Sequence, residues 1–580
     1  MFTGYATVSF RQAERTHFQD QSRKEADSIF SDLPKISLRR SIFMAAMAVV
    51  FVTYLNGLKL RQTDLWDHVN YGRIFIAAND LPNTEPLLPL ASDGPFVNPA
   101  WGSQVLMASC VDSVTLGLAG IQTGHGIMVL LCISMIGLAV LKKSGSPISA
   151  VLASMLYLHV NWQQFLVIRP QTIGLLFYTG LFVLLSQNQD RHRTGQATIL
   201  FTFIVWANLH GSFTMGLFLI GVVGIGRLLN LTIGILRRPQ VTNTTAKKIS
   251  FHLKYTFFMR LLQQSGFNRL LFLGLGSAAA VLFNPYGIYV YEEVLRVGGH
   301  PNMQNMIEWR PLSLSMKQGR AAGFACVLLV TFAVITRRRW QTQNILLFML
   351  LGMLMLWSSR MINWWAPVAS YLVGIQAASA FRKLLAKPNT SPTKVSLRQS
   401  PIVEGMVLFA TSIAIFLSSP LGQKTINQSS ADRQLLEART PINVATFLKD
   451  TPQNTPQNTP SGNPNLGRGI IFCPAEWTGY LMSATRQTHA LHPNDIETMF
   501  PFRPLVSTHV HVIPPAVWND FLRLHWGRPS SLSILNRYQI DTVIVDCSRQ
   551  RKLAERIETS QRFEKIYHDS TAQVWRRIRK

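Results

Sequence analysis

The chain alternates long apolar runs with short polar stretches. A polar, mixed-charge segment over 1–40 precedes the run SIFMAAMAVVFVTYLNGL at 41–58, and further runs follow near 116–141, 148–167, 171–186, 197–213, 214–236, 270–285, 321–336, 343–358, 364–381 and 402–420. Each approaches the ~20 apolar residues that a helix needs to cross a ~30 Å hydrocarbon layer. The pattern predicts an α-helical polytopic membrane protein with about 11 transmembrane helices. The first is read as an uncleaved span, because it starts late and no small-residue cleavage site follows it.

The residues after 420 change character. The segment TPQNTPQNTPSGNPN at Thr451–Asn465 is a low-complexity linker that cannot pack a core. Beyond it, the short apolar runs GIIFC and TVIVDC alternate with helical patterns around Pro515–Trp526 and Arg549–Thr559, and KIYHDSTAQVWRRI reads as a hairpin. Strands alternating with helices predict a small C-terminal α/β domain. The expected organisation is a cytoplasmic tail at 1–40, a transmembrane domain at 41–420 with a long first outer loop at 59–115, a linker at 421–465, and an extracytoplasmic domain at 466–580.

Charge supports one orientation. Lys142-Lys143, Arg191 with Arg193, Arg237-Arg238 through Lys247-Lys248, Arg337 to Arg339, and Arg382-Lys383 with Lys387 all follow even-numbered spans. Cytoplasmic loops carry the Lys/Arg excess, so the amino terminus is expected inside and the C-terminal domain outside a plasma (inner) membrane. The net charge of +27, from 56 basic and 29 acidic residues, is then largely topological, and no groove-reading motif points to nucleic acid. With 48% hydrophobic and only 15% charged residues, the composition points to a core built in a membrane and not in water alone. The five cysteines form no CxxC pair, which excludes a zinc ribbon or disulfide scaffold. Cys473 and Cys547 each end a predicted strand, where a disulfide and two buried thiols fit equally well.

On this register the polar motifs collect on the outer face. They are TDLWDHVNYGRIF, LPNTEPLL and FVNPAWGSQVL in the first loop, then Arg169-Pro170, WANLHG with His210, NPYG, EWRP with Glu308, and Arg360 near Trp364 and Trp365. In DLWDHVNYG, helical spacing places Asp64, His68 and Gly72 on one face and Asp67 with Tyr71 on a neighbouring stripe. A carboxylate bonded to an imidazole can act as an oriented base, or the two can hold a divalent cation. The competing reading is an amphipathic helix at the membrane surface with Trp66 as its anchor. Arg169 and Arg360 suit a phosphate, or snorkel as interfacial arginines. His210 is either a ligand or a core histidine, and Glu308 either a second carboxylate or a solvated one. In the tail, His509 and His511 of THVH would share one side of a strand with His492 and Asp495 upstream, a weak zinc pattern against a solvated loop.

These pieces together resemble the GT-C superfamily of membrane glycosyltransferases, and more closely uncharacterised bacterial multi-span relatives of the protein mannosyltransferase and oligosaccharyltransferase families. The matching segments are DLWDHVNYGRIF, LPNTEPLL, Trp101-Gly102-Ser103, IRPQ, WANLHG, NPYG, EWRP, WTGYL and HDSTAQVW, spread over most of Thr63–Val574. Two departures stand out: Asp67 occupies the place of a bulky aromatic before the loop histidine, and HPNDIETMFPFRPL replaces an Asp-Gly-Arg-like segment in the tail. The resemblance implies transfer of a sugar from a polyprenyl-phosphate-linked donor to an acceptor at the outer face. Asp64 would be the base, His68 its orienting partner, and Arg169, His210 and Arg360 the groups that neutralise the lipid phosphate, with membrane lipids as the surroundings. A transporter or flippase of a lipid-linked or anionic substrate, and a non-catalytic scaffold of the same fold, are the alternatives. Few acidic residues lie in the spans to couple ions, which weighs against the transporter.

Overall fold

The computed structural model describes residues 38–61, 64–91, 94–236, 266–337, 340–385, 401–427, 435–450, 469–487 and 499–578. The low-complexity segment, the basic cluster from Arg237 to Lys248, Arg338, Arg339, Lys387, His492 and Asp495 lie outside them.

All eleven apolar runs lie on helices: Leu38–Gly57, Gly117–Ser144, Pro147–Val160, Gln171–Ser186, Arg193–Leu209, Phe213–Leu236, Phe267–Val281, Lys317–Thr336, Thr342–Trp357, Ile362–Leu385 and Pro401–Ser418. Among the described residues, three helices are long and apolar enough to cross a membrane, at Gly117–Ser144, Phe213–Ile233 and Lys317–Thr336. Others are shorter: at ~1.5 Å per residue, the 14 residues of Pro147–Val160 reach only ~21 Å. The outward faces carry apolar side chains that water would not tolerate in such numbers. Phe201, Phe272, Leu275, Val327, Val334 and Met353 are all exposed, and a bilayer is the solvent that covers such a surface.

Helix Ile362–Leu385 is the opposite case. It is buried along nearly its whole length, as an apolar helix surrounded by others must be, and Pro367 sits within it. Short connections make successive helices run in opposite directions, so basic residues gather at one end of the bundle. There Lys142 donates to Gln187 at 2.8 Å, Lys383 to the Ile335 carbonyl at 2.8 Å, and Arg227 grips the buried Asp190 at 2.7 and 3.0 Å. The polar motifs of the sequence lie at the other end.

The C-terminal domain is a four-stranded sheet in the order β1-β2-β4-β3, with β1 Ile471–Phe472, β2 Thr542–Asp546, β3 Phe563–His568 and β4 Ala572–Arg577. β1 pairs parallel to β2, while β2–β4 and the β3–β4 hairpin are antiparallel. Helices Pro515–His525 and Arg551–Ser560 occupy the two expected helical segments. THVH is not a strand: Val510–Val512 forms a 3-10 turn, and the neighbouring Pro514 and Pro515 lack the N–H groups a ladder requires. Cys473 and Cys547 are free thiols, the first against the Thr478 hydroxyl and the second against the Asp569 carbonyl. The domain does not hang from a tether. Its core is continuous with the outer loop, because Tyr71, Phe75 and Phe96 pack in one cluster with Phe472, Trp477 and Leu505.

Candidate functional site

Two loop helices, Leu65–Ala78 and Trp101–Asp112, form the frame. Gly72 permits their contact, since a Cβ there would lie 2.0 Å from the Gln104 carbonyl oxygen. This backbone approach brings the Gln104 side chain to His68. The Ala100 N–H donates to Asn98 Oδ1 at 3.1 Å, Asn98 Nδ2 to Gln104 Oε1 at 2.8 Å, and Gln104 Nε2 to His68 Nδ1 at 2.9 Å. Assigned from this chain, His68 accepts at Nδ1 and keeps its proton on Nε2. Burial, reinforced by His509, His210 and Arg169, holds its pKa well below the ordinary histidine range. His68 is therefore a neutral donor whose ring is oriented by Gln104 at Nδ1.

Asp64 stands at the N-cap position of its helix without a side-chain cap bond, which leaves its carboxylate for Arg169 at 3.5 Å. Arg169 also meets Glu308 at 3.0 Å and donates to Gln164. Glu308 in turn receives Arg360 at 3.1 Å, and Arg360 donates to Gln171 Oε1 at 3.0 Å. One carboxylate thus bridges two guanidiniums that come from separate segments, and helix reversal explains why they meet. Burial alone would raise the Glu308 pKa, but Arg169 and Arg360 outweigh it and bring it to about 2, so Glu308 stays ionised. Gln171 Nε2 is buried with no partner among the described residues, a donor left over beside the arginines. Arg360 lies 5.2 Å over the Trp309 ring, while Trp364 packs on Tyr178 and Trp365 on Phe348. His210 Nδ1 accepts from the Ser212 N–H at 3.1 Å and bonds the Ser212 hydroxyl at 2.8 Å, again leaving Nε2–H as the donor.

Asp64, His68, Arg169, His210, Glu308 and Arg360 all line one cavity of about 1390 Å³. Asp67 does not. Its carboxylate accepts from the Thr508 N–H at 3.0 Å and from the Thr508 hydroxyl, with His509 Nδ1 at 3.9 Å. Burial pushes Asp67 up to about 7 despite the two Thr508 hydrogen bonds. Trp66, the anchor in the competing surface-helix reading, is buried edge-on to Tyr480, because the WTGYL segment lies on helix Ala475–Thr485 and covers the loop helix. Asn70 donates to the Gly479 carbonyl at 2.9 Å and Arg73 to Ser483 at 2.7 Å across the same contact. The C-terminal domain thereby contributes His509, His511, His525, Arg549 and Glu476 to the cavity wall. Asn98 and Gln104 lie in FVNPAWGSQVL, Gln171 in IRPQ and Thr508 in THVH, but the sequence marks none of these four, nor Gln164, as a site residue. Among the described residues no group of three or more His, Cys, Asp or Glu could hold a metal ion.

No protein-family model matches the chain, and no curated protein matches it in sequence. Solved structures do. The oligosaccharyltransferase AglB from Archaeoglobus fulgidus, in complex with an inhibitory peptide and a dolichol-phosphate, is 12% identical over 87% of this chain and 69% of its own, with a TM-score of 0.49. ArnT from Cupriavidus metallidurans bound to undecaprenyl phosphate is 12% identical over 92% of this chain and 97% of its own, with a TM-score of 0.45. The arabinofuranosyltransferase AftD from Mycobacteria is 14% identical over 94% of this chain and 40% of its own, with a TM-score of 0.47.

Proposed function

We propose that the chain is a multi-pass plasma-membrane glycosyltransferase that moves a sugar from a polyprenyl-phosphate donor to an acceptor at the outer face. The observation that carries this reading is the bridge of Arg169 and Arg360 by Glu308 beside the unpartnered donor of Gln171, all on one cavity with Asp64. Two planar guanidiniums and an amide donor suit a phosphate monoester or diester oxygen cluster. Two cations already face two carboxylates, so an arriving phosphate replaces Glu308 on the arginines instead of adding to it. Glu308 is a placeholder in this scheme.

In the transfer, Asp64 takes the proton of the acceptor hydroxyl or amide as its oxygen or nitrogen bonds to the anomeric carbon. The bond from that carbon to the phosphate oxygen breaks, and the oxygen keeps the electron pair. Arg169 and Arg360 neutralise the departing phosphate, while the Nε2–H groups of His68 and His210 donate without adding charge. Basic residues at one end of the bundle and the cavity at the other support a cytoplasmic amino terminus and a C-terminal domain on the outer side.

The test is transfer from a polyprenyl-phosphate-linked sugar in membranes at matched expression. Asp64→Asn keeps size and most hydrogen bonds but loses basicity, so the rate falls ~10²-fold or more while insertion survives. Full activity in Asp64→Asn removes this residue from the mechanism.

A further inference from the structure

A second concavity of about 600 Å³ opens on the C-terminal domain, lined by His525, Trp526, Arg528, Arg549, Lys552 and Glu555. His525 and Arg549 also line the main cavity, so the two spaces share a wall. The annex is built, not incidental. Gly527, at φ +58°, turns the chain so closely onto helix Arg551–Ser560 that a Cβ would lie 2.7 Å from the Leu553 nitrogen. Arg556 locks this turn by donating to the Gly527 carbonyl at 2.7 Å, and His525 bonds Gln550 at 3.0 Å.

Its charges are unevenly used. Arg549 is paired with Glu476 at 2.5 Å and Arg551 with Glu555 at 3.4 Å. The exposed Arg528 guanidinium and Lys552 ammonium have no side-chain partner among the described residues, so two positive charges are in surplus. On the same concavity Trp526 is 59% exposed, which leaves an indole face open to a ligand. An exposed indole face stacks on the C–H face of a pyranose, and two free cations beside it bind phosphate or carboxylate.

We infer that this annex holds the acceptor, an acidic saccharide bearing a phosphate or carboxylate, whose reacting end passes His525 and Arg549 into the main cavity. The inference rests on the transferase reading for the word acceptor, but the site itself does not. A bilayer headgroup shares the anionic chemistry without the sugar face, and the experiment separates the two.

Isothermal titration of the full chain in nanodiscs with glucose 1-phosphate, glycerol 1-phosphate, inorganic phosphate and glucose tests it. Glucose 1-phosphate should bind at least about tenfold tighter than each of the other three. Arg528→Ala with Lys552→Ala should weaken it about tenfold or more, and Trp526→Ala should erase its advantage over glycerol 1-phosphate while leaving phosphate binding in place. These side chains are exposed, and unchanged undecaprenyl phosphate binding by the same variants verifies that the fold is intact. No detectable glucose 1-phosphate binding, equal binding of glycerol 1-phosphate, or insensitivity to both variants overturns the inference. If the annex behaves as stated while undecaprenyl phosphate binds nowhere, the donor reading fails and the saccharide site stands.

Discussion

Asp67 on the first loop helix accepts hydrogen bonds from both the backbone N–H and the hydroxyl of Thr508, 441 positions away. The same helix turn carries Asp64 and His68 on the cavity side. A single short helix therefore joins the site to the C-terminal domain, and whatever shifts that domain shifts the candidate base with it.

This joint should respond to pH. Burial raises Asp67 from the usual carboxylate value of 3.8 to about 7, so the folded chain favours the protonated form. Between pH 4 and 7 the unfolded state has lost its proton while the folded state retains it. Stability thus falls as pH rises through this window and levels off above it. Glu85, held at about 7 mainly by burial, acts in the same direction. Asp67→Asn keeps an acceptor for Thr508 without the charge. Thermal unfolding followed from pH 5 to 8 should show a flatter profile for Asp67→Asn, with a higher Tm than the unaltered chain at pH 8. An unchanged slope would show that Asp67 is not a source of the dependence.

The contact of the two loop helices has no slack. Gly72→Val would drive a side chain into the Gln104 carbonyl, which is backbone and cannot move aside without separating the helices. A loss of at least ~2 kcal/mol is expected, read as a lower Tm by scanning fluorimetry. Gln104→Leu is the gentler probe. It keeps the packing but removes the donor to His68 Nδ1 and the acceptor of Asn98 Nδ2, so transfer should fall about tenfold with a smaller loss of Tm than in Gly72→Val.

The sequence carried the helices because each apolar run is long and uniform, and it carried the β3–β4 hairpin because KIYHDSTAQVW alternates around a turn. Asp64, His68, Arg169, His210, Glu308 and Arg360 were readable as a set because each lies at the same end of an alternating helix series. Asn98, Gln104 and Gln171 were not, since a lone amide has no periodicity and its role depends on one partner brought in by backbone contact. Thr508 and Asp67 pair across the whole chain, and no local pattern encodes that. The burial of Trp66 has the same origin: the Tyr480 helix that covers it is far off in sequence.

Glu308 as placeholder leads to an expectation that a purely structural salt bridge would not share. Glu308→Gln removes the carboxylate that competes with phosphate for Arg169 and Arg360 while keeping an amide of the same shape. Affinity for undecaprenyl phosphate should rise about tenfold, measured by native mass spectrometry or by displacement of a fluorescent polyprenyl phosphate. A Glu308 that only positions the arginines would give weaker binding instead.

The paired arginines are tested most directly by equilibrium binding of undecaprenyl phosphate to the full chain in nanodiscs, comparing the unaltered protein with Arg360→Gln and Arg360→Lys. Arg360 is the better choice than Arg169, which is the more deeply buried of the two and also holds Asp64. The unaltered chain should bind saturably, Arg360→Gln should lose about tenfold or more, and Arg360→Lys should fall between them, since an ammonium keeps the charge but not the planar fork. Equal affinity in all three, at unchanged Tm, would contradict a phosphate site at Arg169 and Arg360.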